Sequence, residues 1–133
     1  MTIDELHDEY EFLDFEDRIR MIVDLGKELE PMPDALKTDA TRVSGCSSSV
    51  WLYPTRGDAG ALHFLADSNS GLTKGVVALV LRTVQDRGAR DVLETDIEGI
   101  LHRFDLDRHL TSKRTQGVPN MIALIRETAA RYA

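Results

Sequence analysis

One residue in this chain of 133 stands out chemically: Cys46, its only cysteine. It lies in the run Ser44-Gly45-Cys46-Ser47-Ser48-Ser49, and the apolar stretch Val50-Trp51-Leu52-Tyr53 follows at once. A lone thiol can be an inert core side chain, a nucleophile, a redox sensor or a covalent carrier of a transferred group. Inert cysteines sit inside apolar periodic segments. This one sits at a Gly/Ser break, the setting of a functional loop. Gly45 permits a backbone conformation that a Cβ would resist, and the serine hydroxyls and loop amides are donors suited to a sulfur anion.

Other chemistries find less support. The four histidines, His7, His63, His102 and His109, form no closely spaced pair with one another or with Cys46. A zinc site needs about four grouped ligands, and an iron–sulfur cluster needs several thiolates, so no metal and no cofactor is expected. Glycine-rich phosphate loops are absent, and no lysine context suggests a pyridoxal phosphate Schiff base. A Cys–His hydrolase stays open, because a histidine can fold against Cys46 from anywhere in the chain.

The elements around Cys46 follow from local pattern. Thr41-Arg42-Val43 and Val50 to Tyr53 read as strands flanking the loop, and Leu62 to Ala66 as a third. The connections are too short for crossovers, so the three are expected to form an antiparallel sheet. Residues 54–60 read as a turn-rich loop. Asp4 to Leu13 reads as an acidic helix. A second, from Asp14 or Phe15 to Leu29, has Phe15, Ile19, Ile22, Val23 and Leu29 at helical spacing, with Asp14 as its cap. Ser68, Asn69 and Ser70 are cap candidates for a helix whose middle, around Val76 to Leu81, is apolar almost all round. Two short helices, Ala89 to Glu94 and Asp96 to Arg103, precede a last amphipathic one in which Pro119 falls in the first turn. The expected class is α+β: a small three-stranded antiparallel sheet packed against several helices, in a single domain over residues 1–133.

Composition sets the setting. Charged residues make up 29% and the net charge is −7, which argues against nucleic acid. No apolar run approaches bilayer length and no secretory pattern is visible, so neither membrane nor export is expected. A single cysteine fits a reducing, cytoplasmic compartment. Residues 1–17 hold eight Asp and Glu and no Lys or Arg. That is either a solvated acidic helix or a surface that steers a basic partner.

Four ordered segments give a resemblance. Arg42 to Leu52, Asp67-Ser68 with Lys74 to Leu79, His109-Leu110-Thr111-Ser112-Lys113-Arg114-Thr115-Gln116-Gly117, and Met121 to Ile125 are similar to the signature stretches of the SufE family of sulfur-acceptor proteins. Departures include Ser47, where the family often has glutamine, and Lys113-Arg114-Thr115 in place of its "PSRS". The resemblance implies a fold like that of iron–sulfur scaffold proteins. It also implies that Cys46 takes persulfide sulfur from a pyridoxal-phosphate cysteine desulfurase, stimulates that enzyme and passes the sulfur to an iron–sulfur assembly scaffold or another acceptor. In that role the chain is a sulfur-transfer partner and not a stand-alone enzyme. Arg114 matches the arginine of the family segment and is a candidate to support thiolate or docking. Lys74 reads as a surface or capping charge, and Trp51 as a core or cavity residue under the loop. A noncovalent desulfurase regulator, which would not need Cys46, and a cysteine redox sensor remain alternatives.

Overall fold

The computed structural model describes residues 1–45, 48–112 and 116–133. Seven helices and one two-stranded antiparallel sheet succeed one another as α1 (Ile3–Glu11), α2 (Phe15–Lys27), β1 (Val50–Arg56), β2 (Leu62–Ser68), α3 (Gly71–Val84), α4 (Ala89–Glu94), α5 (Ile97–Arg103), α6 (Arg108–Thr111) and α7 (Gly117–Tyr132). The class is α+β, as the sequence indicates.

Helix starts follow local chemistry. Thr2 and Glu5 form a reciprocal capping box on α1. Asp14 caps α2 by accepting from the Asp17 N–H at 2.9 Å, Ser70 caps α3, and Asp96 caps α5. The centre is α3. Its residues from Gly75 to Leu81 are all buried, because the sheet, α2 and α7 pack around it. α2 crosses α3 at Gly26 and Gly75. A Cβ on Gly75 would lie 2.0 Å from the Ile22 carbonyl oxygen and one on Gly26 2.8 Å from the Gly75 nitrogen, so only glycines allow these backbones to touch.

The strands are longer than the sequence pattern suggests, and they are fewer. β1 runs through Pro54 to Arg56, where a loop is expected from sequence. Pro54 faces Phe64 in the register. The Phe64 N–H and carbonyl turn away from β1 and bond the Gln85 side-chain amide, both at 2.7 Å. The pair is therefore of the non-hydrogen-bonded kind, and the ladder does not need the N–H that proline lacks. Gln85 covers the outer edge of β2 together with Arg87, whose carbonyl accepts from Leu62 N–H at 2.8 Å.

Among the described residues, the strand expected over Thr41 to Val43 is reduced to a single bridge. Thr41 to Val43 attach to β1 through one bridge, Arg42 to Trp51, with Val43 N–H donating to Val50 O at 2.8 Å and Leu52 N–H to Thr41 O at 2.9 Å. The segment is too short to continue, since Gly45 turns the chain away with φ +93°. β2 alternates regularly, sending Leu62, Phe64, Ala66 and Ser68 inward. β1 alternates only in its first half, with Val50 and Leu52 in the core and Trp51 half-buried. Phe15 is 70% exposed and does not join the α2 core face.

His63 on β2 joins two turns. Its Nδ1 lies 2.7 Å from Asp86 Oδ1 and its Nε2 3.0 Å from Glu30 Oε1.

Candidate functional site

Cys46 and Ser47, and Lys113, Arg114 and Thr115, lie outside the described residues. The frame on either side of both segments is fully described, and it brings their flanks together.

The loop holding Cys46 leaves the sheet at Val43 and returns at Val50, and these two residues pair through the Val43 N–H to Val50 O bond. Each arm is then held by an asparagine. On the outgoing arm, Asn120 Nδ2 donates to the Ser44 carbonyl at 2.8 Å. On the returning arm, Asn69 clasps Ser49: the Ser49 N–H donates to Asn69 Oδ1 at 3.0 Å and the Asn69 N–H to Ser49 O at 3.3 Å. Gly45 packs so closely on the start of α7 that a Cβ there would meet Asn120 Nδ2 at 2.7 Å and Gln116 Cβ at 3.1 Å. Gly45 is the residue before Cys46, and Gln116 is the residue after Thr115.

Next along the β1–β2 pair lies a charged triad. Asp67, opposite Trp51 in the register, accepts from Lys37 Nζ at 2.6 Å and from Lys74 Nζ at 3.1 Å. Burial of Asp67 opposes its charge, but the two ammonium groups and the Ser68 N–H outweigh this and lower its pKa. The hydrogen bonds of Lys37 to Asp67 and Asp34 raise its own pKa. Lys37 also stands 5.9 Å above the Trp51 ring. Lys74, read from sequence as a surface or capping charge, is thus an ion-pair partner of Asp67. Trp51, read as a core or cavity residue under the loop, is half-buried beside that pair.

His109, from the same motif as Arg114, is buried. Among the described residues its Nδ1 has no hydrogen-bond partner. Burial, and then the charge of Arg108, lower its pKa and keep the ring neutral. Among the described residues, which exclude Cys46, no group of three or more His, Asp and Glu is placed to hold a metal ion.

Sequence reasoning did not single out Lys37 or Asn120, and it took Asn69 only as a cap candidate. Each is a lone polar residue whose partner is distant in the chain, so no periodic signal marked it. Asp67 and Lys74 fall within one of the four family-like stretches, and that is their one sign in the sequence.

The match to known proteins follows this frame from end to end. The model of the SufE family, an "Fe-S metabolism associated domain", matches residues 4–129. The chain belongs to the SufE family. An uncharacterized SufE-like protein of Rhizobium meliloti is 36% identical over 132 residues, covering 96% of this chain and 94% of the relative. Another, from Rhizobium etli, is 35% identical over 132 residues, covering 96% and 89%. A hypothetical protein from Thermus thermophilus, solved in solution, shares the SufE-like fold with TM-score 0.74 at 14% identity, covering 99% of this chain and 98% of its own. Membership ties the chain to iron–sulfur metabolism. Among the described residues of this SufE-family protein, no helix is long and apolar enough to cross a membrane.

Proposed function

We propose that this SufE-family protein is a sulfur acceptor that carries persulfide sulfur on Cys46, working with a cysteine desulfurase in the cytoplasm as a single-domain partner. The thiolate of Cys46 attacks the terminal sulfur of the donor's persulfide. The donor's S–S bond breaks, the donor cysteine leaves as thiolate, and a new S–S bond leaves Cys46 as the persulfide. The sulfur atom moves without net oxidation, so the step needs no oxidant. A third thiol, on a scaffold or another acceptor, removes it by the same exchange. With no second cysteine in the chain, nothing internal can expel the sulfur by forming a disulfide.

The observation that carries this reading is the junction of the two family segments. Gly45, next to Cys46 in the chain, packs against Gln116, two residues after Arg114. Arg114 is then the nearest arginine by chain position on that second segment, and its assigned role is to support thiolate or the docked donor. The clamped arms suit a thiol that must be offered to two partners in turn: the loop's ends are held while its middle carries the chemistry. The test is desulfurase stimulation. Wild type should raise the turnover of a cysteine desulfurase, and Cys46→Ser should lose that effect while keeping its fold. A purely noncovalent regulator would stimulate equally with the serine variant.

A further inference from the structure

The acidic N-terminal part of the chain builds a second feature, unrelated to the sulfur loop. Between α1, α2 and the end of α3 runs a groove of about 730 Å³, well within the range of ligand-sized clefts. Its apolar lining comes from Met1, Leu6, Phe12, Leu13, Met21 and Leu25. Leu6 and Leu25 are buried, whereas Phe12 is 90% exposed. A phenylalanine so fully in solvent offers a large apolar side chain at the edge of the groove.

The groove is rigidly backed. From α1 the Tyr10 hydroxyl donates to the Phe104 carbonyl at 2.7 Å, fixing the helix to α5's end. Arg82, at the last turn of α3, bonds the Met1 carbonyl at 3.1 Å and Glu28 at 3.2 Å. The rim is negative. α1 carries five carboxylates and no Lys or Arg, and Glu9, Asp17, Asp24 and Glu28 line the groove against Arg20 and Arg82. Arg82 is taken by Glu28, and Arg20 sits 3.5 Å from Asp17. Asp24 in turn faces Lys27 at 3.5 Å, so the carboxylate left over in the lining is Glu9.

We infer that this groove docks a basic amphipathic helix of a partner polypeptide. The floor takes apolar side chains spaced three and four apart along one helical face, and the acidic rim takes lysines and arginines flanking them. Phe12 is the anchor, an aromatic that becomes buried on binding. Charge argues against the other occupants. A second copy would set one acidic α1 against another in a chain of net charge −7, and an anionic membrane surface would be repelled. The groove is also separate from the sulfur loop. Arg82 lies at one end of α3 and Asn69, which clasps the loop, precedes the other, about 20 Å away along the 14-residue helix. A partner helix in the groove therefore leaves the Asn69–Ser49 clasp uncovered.

The test is an NMR titration of the full-length ¹⁵N-labelled protein with a capped leucine–lysine peptide, about 15 residues long so that it can hold a helix, with its leucines on one face. A peptide of the same composition with scattered leucines is the control. The amphipathic peptide should shift amides of α1 and α2 around the groove, the control should not, and Phe12→Ser should weaken binding about tenfold or more without altering the free protein's spectrum elsewhere. Binding of both peptides alike, shifts away from the groove, undiminished binding by Phe12→Ser, or no binding at all would overturn the proposal. So would concentration-dependent shifts of the same amides without peptide, which would assign the groove to a second copy, or shifts caused only by phosphatidylcholine vesicles, which would assign it to a lipid surface.

Discussion

The Asn120 side chain donates a 2.8 Å hydrogen bond to the carbonyl of Ser44, tying the strand arm that leads into Cys46 to the first turn of α7, 76 residues further along the chain. A single amide group thereby joins the two segments proposed here to carry the site.

Removing that tie should uncouple transfer from folding. Asn120→Ala loses one exposed hydrogen bond and should cost no more than about 1 kcal/mol of stability. Sulfur uptake at Cys46 should slow several-fold, because the loop's outgoing arm is no longer fixed. Gly45→Ala should be worse on both counts. Its φ of +93° is a conformation alanine resists, at about 1–2 kcal/mol, and its Cβ would press on Asn120 and Gln116. Denaturant melts beside single-turnover uptake would separate the two effects.

The Lys37–Asp67–Lys74 triad should matter for the returning arm. Asp67→Asn leaves two ammonium groups facing each other without their carboxylate. Loss of charge-assisted bonds of this kind costs about 1.5–3 kcal/mol. The folded pKa of Asp67 is lowered from 3.8, so its contribution is complete above that value and fades as pH falls through the lower folded one. Urea midpoints of wild type and Asp67→Asn should therefore converge in acid and differ at neutral pH.

His63 makes the opposite prediction. Burial of the ring opposes its charge, but the hydrogen bonds to Asp86 and Glu30 prevail and raise its pKa from 6.5. Its contribution is then complete below 6.5 and is lost as pH rises through the folded value, because one of the two bonds needs the second ring proton. Neutral, buried His109 works the other way, contributing above 6.5 and losing that contribution as pH falls through its lowered folded value. A pH series of melting temperatures for wild type and His63→Gln isolates the first. The gap between them should be largest below pH 6.5 and shrink in mild alkali.

Arg114 should be dispensable for folding. Arg114→Ala should shift stability by less than about 0.5 kcal/mol, while desulfurase stimulation falls. A sharp loss of stability with stimulation per folded molecule unchanged would make it a structural residue instead.

Much of this architecture is legible in the sequence where local pattern governs. Asp14 and Ser70 announce their helices through the side-chain oxygen that accepts the first free N–H groups, and the apolar surround of Val76 to Leu81 marks α3 as the centre. Pro119 sits in the first turn of α7, as its chemistry requires. Reading fails where a distant partner decides. Gln85, from the end of α3, accepts and donates to Phe64 and so lets a proline stay inside β1. Thr41 to Val43 has strand-like composition but only one bridge to pair with. The four-residue α6 has no room for a period. At the site, Cys46 was marked by its uniqueness and its Gly/Ser setting, whereas Asn69 and Asn120 act across 20 and 76 residues and carry no local sign of doing so.

The central claim is that Cys46 itself holds the transferred sulfur. Intact-mass spectrometry after incubation with a cysteine desulfurase and cysteine, followed by removal of free sulfide, measures this directly. Wild type should gain the mass of one sulfur atom, reversibly removed by a thiol reductant, and Cys46→Ser should gain none. A wild type that stays unmodified while still stimulating the desulfurase, or a serine variant that takes up sulfur as well as wild type, would contradict the account.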